Sequence, residues 1–108
     1  MKSVKIFAAA FINKYSNVDV LILNAGVMMT PFELTEDGLE LQIATNHFGH
    51  FLLTQGLLDQ LKAGAPSRVV NVSSMAHNRG GIRLADINWT KSYDPVRKFT
   101  KQLVRNRV

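Results

Sequence analysis

The chain is 108 residues long, 46% apolar and 19% charged, which suits one small packed domain and argues against a disordered segment. It contains no cysteine, so a disulfide scaffold, a thiol nucleophile and a thiolate-ligated zinc are excluded. The net charge of +5 comes from the end of the chain: residues 1–90 are neutral, whereas 91–108 hold Lys91, Arg97, Lys98, Lys101, Arg105 and Arg107 against Asp94 alone. A basic tail can bind nucleic acid or an anionic membrane. This one has no aromatic platform beyond Tyr93 and Phe99 and no nucleic-acid motif, so it reads as a solvated terminus.

In chain order, Val4, Phe7, Ala8, Phe11, Ile12 and Tyr15 recur at three- and four-residue spacing and predict an amphipathic helix over roughly residues 2–15. Asn13 and Lys14 interrupt it, so it is not a signal peptide, and no apolar run reaches transmembrane length. The cytoplasm is the default compartment. Val18–Leu23 is a short apolar run of the kind that forms a buried parallel strand, closed by Asn24-Ala25-Gly26. Thr35 is a candidate N-cap with Glu36 and Asp37 in the first turn. A long helix is expected over 36–62, with Leu39, Ile43, Phe51, Leu52, Leu58 and Leu61 as its buried residues. Gly64 would cap it and Pro66 stop it. Gly38, Gly49 and Gly56 each cost about 1 kcal/mol of helix propensity relative to Ala, so they call for close packing or a bend.

Arg68–Val72 is the second strand, ending at Ser73-Ser74. Residues 75–95 read as loop with a short extended piece near Ile82–Leu84, and a weak helix could start at Asp94-Pro95 and use Val96, Phe99, Leu103 and Val104. Two strands joined by a crossover helix must run parallel, which puts both strand C-terminal ends on one edge of the sheet. The expected fold is α/β, a partial Rossmann-like, doubly wound parallel sheet. Residues 1–90 form its central portion and 91–108 a divergent basic tail.

Taken as chemistry without a family, the residues exclude more than they specify. There is no G-x-S-x-G elbow to make Ser74 a nucleophile. His47 and His50 are three apart on a predicted helix, yet no carboxylate lies at helical spacing to complete a ligand set, so no metal site is expected. Asn24 can hydrogen-bond its own backbone, and Gly26 lets a ligand approach the main chain.

Four stretches then stand in order at one family's spacing: Leu23-Asn24-Ala25-Gly26-Val27-Met28, Thr35-Glu36-Asp37-Gly38-Leu39-Glu40, Asn46-His47-Phe48-Gly49-His50-Phe51-Leu52-Leu53-Thr54, and Arg68-Val69-Val70-Asn71-Val72-Ser73-Ser74. Over roughly residues 3–99 the chain resembles the short-chain dehydrogenase/reductase family, in its retinol-dehydrogenase-like branch. The resemblance implies that Asn24, Ala25 and Gly26 lie against the adenosine side of NAD or NADP. It implies that Asn46 holds a water of the proton relay at a helix kink, and that Ser74 bonds the substrate carbonyl. It also implies an alcohol/carbonyl oxidoreductase with a small lipophilic substrate such as a retinoid or steroid.

Two departures accompany the likeness. No G-x-G occurs in the chain, so the family's pyrophosphate-binding turn is not among these residues. The family's Tyr-x-x-x-Lys falls on Phe99 and Leu103, and Tyr93 with Arg97 is only a rough substitute interrupted by Pro95. The expected chain is therefore incomplete at both ends relative to the family and inactive by itself, since most cofactor affinity and the acid/base are lost. The alternative is a non-catalytic interaction fragment that forms a homo- or hetero-oligomer through helix 36–62.

Overall fold

The computed structural model describes residues 1–75 and 83–94. In chain order these form α1 (Lys2–Lys14), β1 (Val20–Leu23), a short α2 (Leu41–Ile43), a π-helical turn (Ala44–Phe48), α3 (Gly49–Gly56), α4 (Leu58–Ala63), β2 (Arg68–Asn71) and a 3-10 turn (Leu84–Asp86). They divide into two compact units. The first joins Met1–Asn24 with Gly49–Val72, and the second joins Ala25–Phe48 with the described residues from Ser73 onward.

The first unit is a helix–strand scaffold. Helix α1 buries Ala8 and half-buries Val4 and Phe11, while Phe7, Ile12 and Tyr15 stay largely exposed. Its stripe is therefore narrower than the sequence spacing suggests. Phe11 stacks on Phe7 at 6.2 Å and on Tyr15 at 4.7 Å, a four-residue ladder that supports the helix from its own surface. Helix α3 packs on α1, and Gly56 makes the approach close, because a Cβ there would lie 3.1 Å from that of Ala8.

Strands β1 and β2 pair in parallel, with Val20 opposite Arg68 and Leu23 opposite Asn71. The Val72 N–H donates to the Leu23 carbonyl at 3.2 Å and extends the ladder to the C-terminal edge. The parallel pairing agrees with the sequence, but the expected burial does not. Leu23 is buried and Leu21 half-buried, whereas Val20 and Ile22, on the opposite face of the strand, are 51% and 62% exposed. Strand β2 is exposed throughout. Parallel strands are apolar on both faces because such sheets are covered on both, and among the described residues this pair has only one neighbour per strand.

Gly64 does cap α4, donating to the Gln60 carbonyl at 3.0 Å. Its φ is −86°, so left-handed backbone is not what requires glycine. The requirement is room, since a Cβ at Gly64 would lie 2.3 Å from the Val18 carbonyl oxygen.

The second unit starts from a hairpin. Leu34 bridges Glu40 in antiparallel fashion, the Thr35 N–H reaches the Leu39 carbonyl, and Gly38 turns the chain with φ +71°. A three-residue hairpin loop with glycine in the left-handed position is one of the common solutions for such a turn. Thr35-Glu36-Asp37-Gly38 is thus a hairpin loop and not the start of a helix. The helix begins at Leu41, and its cap is Glu40, whose Oε2 accepts from the Ile43 N–H at 3.1 Å. The continuous helix expected over 36–62 is replaced by three short α segments and the π turn. Ile43 and Leu61 are buried as expected and Leu39 and Leu52 half-buried, while Phe51 and Leu58 are exposed.

Farther along, Leu84–Asp86 is a 3-10 turn, and the extended piece expected near Ile82–Leu84 begins outside the described residues. The Asp86 carboxylate accepts from the Thr90 N–H at 2.9 Å and its hydroxyl at 3.0 Å. The Thr90 backbone bond, above all, holds the Asp86 carboxyl below its ordinary value. Trp89 is 2% exposed, and the Arg83 guanidinium lies 4.1 Å from its ring centre. The candidate helix from Asp94-Pro95, and most of the basic tail, lie outside the described residues.

Candidate functional site

Asn24 closes β1 at the C-terminal edge of the parallel pair, which is where ligands meet open α/β sheets. Ala25 and Gly26 follow and are exposed. In the second unit the structure brings Asn46 to this turn. The Asn46 Oδ1 accepts from the Val27 N–H at 2.8 Å and its Nδ2 donates to the Val27 carbonyl at 2.9 Å. Both bonds of this amide go to one residue, so Asn46 grips the backbone directly after Gly26. A Cβ on Gly26 would stand 3.5 Å from Oδ1, an ordinary contact. Neither packing nor left-handed backbone therefore demands glycine at position 26.

Asn46 sits in the π turn Ala44–Phe48. A π turn offsets the main-chain hydrogen-bond register by one residue and occurs often at functional sites. Asn46 thus lies at a change of helical register. Gln42, four residues earlier on the same helical face, repeats the grip. Its Oε1 accepts from the Met29 N–H at 3.2 Å. Met29 has φ +57°, a conformation that costs an L-residue about 1–2 kcal/mol. The two amides thus hold alternate residues of the loop that follows the Asn-Ala-Gly turn.

Gln42 is fully buried, and its other end donates to the Tyr93 hydroxyl at 2.9 Å. That hydroxyl donates in turn to the Thr30 carbonyl at 2.6 Å, while the Tyr93 ring meets Phe32 edge-on at 5.2 Å. Asn88 completes the network: its Oδ1 accepts from the Glu40 N–H and its Nδ2 donates to the Gly38 carbonyl. Sequence reasoning missed Gln42, Glu40 and Asn88, and weighed Tyr93 only as a rough substitute for the acid/base. The available signal was a pair of amides, Gln42 and Asn46, at helical spacing on a segment otherwise rich in apolar residues.

Ser74 lies just beyond β2, half-buried, between exposed Ser73 and Met75. No cluster of three or more His, Asp or Glu side chains able to hold a metal occurs among the described residues. No helix among them is long and apolar enough to cross a membrane.

Comparison with known proteins gives a consistent set. The sequence profile of the short-chain dehydrogenases matches residues 1–106. The chain is 49% identical to human retinol dehydrogenase 13, over 97% of its own length and 35% of the relative's. It is 50% identical to human retinol dehydrogenase 11 (86% and 29% covered) and 42% identical to mouse retinol dehydrogenase 14 (98% and 32% covered). It therefore spans about a third of the length of these relatives. A crystal structure of an uncharacterized protein from Mycobacterium paratuberculosis superimposes with a TM-score of 0.81 at 48% identity, over 94% of this chain and 35% of that one.

Proposed function

We propose that this chain, which belongs to the short-chain dehydrogenase family, carries the substrate-side portion of an oxidoreductase site that interconverts an alcohol and a carbonyl on a lipophilic substrate such as a retinoid or steroid. The observation that carries this reading is the grip of Asn46 on Val27 from within a π turn, immediately after the exposed Ala25-Gly26 in sequence. A turn fixed just past Gly26 and bare of a side chain at position 26 suits the close approach of a flat ligand.

The family's cofactor is a nicotinamide dinucleotide, which supplies the hydride when bound. The residues present fit one side of it: Asn24, Ala25 and Gly26 would lie against its adenosine portion. The pyrophosphate has no glycine-rich turn in these 108 residues. Ser74 would hold the substrate oxygen through its hydroxyl. Asn46 commits one amide N–H and one Oδ1 lone pair to Val27, which leaves its second N–H and second lone pair to hold a relay water.

Tyr93 is a poor candidate for the acid/base, because its hydroxyl is engaged by the Gln42 amide and the Thr30 carbonyl. Loss of a positioned acid/base typically lowers the rate about 10²–10⁴-fold. These residues alone are accordingly expected to leave the absorbance of NADPH unchanged in the presence of retinal; turnover would overturn that part of the reading. The cofactor-side assignment has its own test. On adding millimolar NADH, the amide resonances of Ala25 and Gly26 should move, and their indifference would refute it.

A second reading, as an interaction fragment, draws on Val20, Ile22, Val69, Val70 and Val72, all at least 40% exposed, and on Phe51 and Leu58, seven residues apart. Exposed apolar strands seek partners. Light scattering on the eluting protein distinguishes the two, since a clean monomer removes this reading.

A further inference from the structure

We propose that Gln42 and Tyr93 are positioning residues for the dinucleotide-side turn. In this reading they set the conformation of Ala25-Gly26 by fixing Met29 and Thr30 a few residues downstream. The inference rests on the cofactor-side assignment above. Three observations carry it.

The first is strain. Met29 is a long, unbranched residue held at φ +57°, where glycine or asparagine is the usual occupant. Left-handed backbone at such a residue persists only when its surroundings impose it, and observed strain of this kind points toward a functional constraint. The second is the group that imposes it. Gln42 is fully buried, and both ends of its amide are engaged, by Met29 on one side and Tyr93 on the other. A buried amide with a donor and an acceptor each matched has one acceptable orientation, so it fixes the Met29 N–H in direction as well as distance.

The third is what orients Gln42. The Tyr93 hydroxyl sends its proton to Thr30, leaving its lone pairs to the Gln42 amide N–H. The Tyr93 oxygen also lies 3.4 Å from the Pro31 carbonyl and 3.4 Å from the Glu40 Oε1. One phenol thus ties residues 30–31 to the start of the helix that bears both amide grips. Asn46 fixes Val27, and Gln42 with Tyr93 fixes Met29 and Thr30. The segment leaving Gly26 is held at alternate points, and its freedom at Ala25-Gly26 is reduced from the downstream side.

The two amides have different consequences. Asn46 bonds Val27, next to Gly26, whereas Gln42 and Tyr93 bond Met29 and Thr30 farther along and would act through them. Their removal should therefore weaken the dinucleotide contact while leaving the strand ladder intact.

The test uses the whole chain, isotope-labelled, as wild type, Tyr93→Phe and Gln42→Met, each titrated with NADH and followed at the Ala25 and Gly26 amides. Tyr93→Phe removes one oxygen and keeps the ring against Phe32. Gln42→Met keeps the length of the side chain and removes both polar ends. The expected result is that the Met29 amide exchanges with solvent about tenfold faster in both variants. NADH affinity read at Gly26 should fall about fivefold, the equivalent of one lost hydrogen bond. Protection of the β1 and β2 amides should be unchanged.

If Met29 exchange rises but NADH affinity holds, the pair is merely structural and the proposal fails. If β1 and β2 lose protection together with Met29, the effect is global unfolding and the proposal fails for Gln42→Met. Tyr93→Phe, the milder change, then decides it on the same readouts. If wild type itself shows no NADH response at Ala25 and Gly26, the cofactor-side assignment has failed. The positioning proposal falls with it, and the wild-type spectrum alone identifies which of the two was at fault.

Discussion

The two compact units hold themselves together by different means. In the first unit, regular backbone pairing and close approaches dominate: a parallel ladder from Val20 to Asn71, helix α1 against α3, and the chain at Val18 pressed against Gly64. In the second, short side chains bond to main chain at nearly every turn: Glu40 to Ile43, Gln42 to Met29, Asn46 to Val27, Asn88 to Gly38, Asp86 to Thr90. A repetitive scaffold needs only the right periodicity. An irregular segment has no ladder to satisfy its backbone, so each buried N–H and C=O must find a specific side chain. That second style of construction is also what a site requires, because it fixes individual backbone groups in chosen directions.

The comparison predicts that the first unit is most sensitive to added volume and the second to removed polarity. Gly64→Ala should have the largest effect. The new Cβ would meet the Val18 carbonyl, a main-chain atom that cannot rotate aside. Overpacking of this kind costs about 3 kcal/mol at the upper end of its usual range. Thermal unfolding followed at the β1 and β2 amides should show an early loss of their protection. An unchanged midpoint would mean that Val18 yields easily, and that the tight approach is incidental.

Asn46→Ala should cost less, about 1 kcal/mol, because Asn46 is half-buried and water can replace part of what Val27 loses. Its effect should be local. The Val27 amide should exchange faster while β1 keeps its protection, which is the reverse of the Gly64→Ala pattern. If both substitutions loosen both sets of amides equally, the contrast between the units has no energetic meaning.

This division also explains which features could be read before the structure. The strand order and the parallel pairing follow from periodicity and spacing, whereas Asn24, Asn46 and Ser74 were singled out by the family resemblance that the motif stretches carry. The helix over 36–62 was misread because Thr35-Glu36-Asp37 makes an equally good helix start and hairpin entry. The outcome turned on Gly38, whose left-handed φ belongs to the hairpin and which no apolar pattern reports. Leu58 and Phe51 were assigned to the core by the spacing of one continuous helix, which separate short segments replace. Gln42 and Tyr93 lie 51 residues apart and meet through one hydrogen bond. Nothing local to either position announces the other, so only tertiary structure could place them together.

The smallest effect concerns Asp86, and it tests whether the side-chain-to-backbone style extends to the exposed turn at 86–91. The folded-state pKa lies below the ordinary value of 3.8, chiefly through the Thr90 N–H. A carboxyl depressed on folding contributes stability that is fully present above its unfolded value and is lost as pH falls through the folded one. The turn should therefore hold unchanged down to about pH 4 and loosen below it, as Asp86 takes up a proton and its bond to Thr90 weakens. Trp89, the chain's single tryptophan, adjoins Thr90, and its N–H bonds to the Asp86 carbonyl, so its fluorescence reports this turn. Asp86→Asn keeps an acceptor but cannot titrate, and it should flatten the acid limb of that fluorescence curve. A limb that persists in Asp86→Asn would place the acid sensitivity in another carboxylate. The turn at 86–91 would then owe its shape to the buried Trp89 ring and the Arg83 guanidinium beside it.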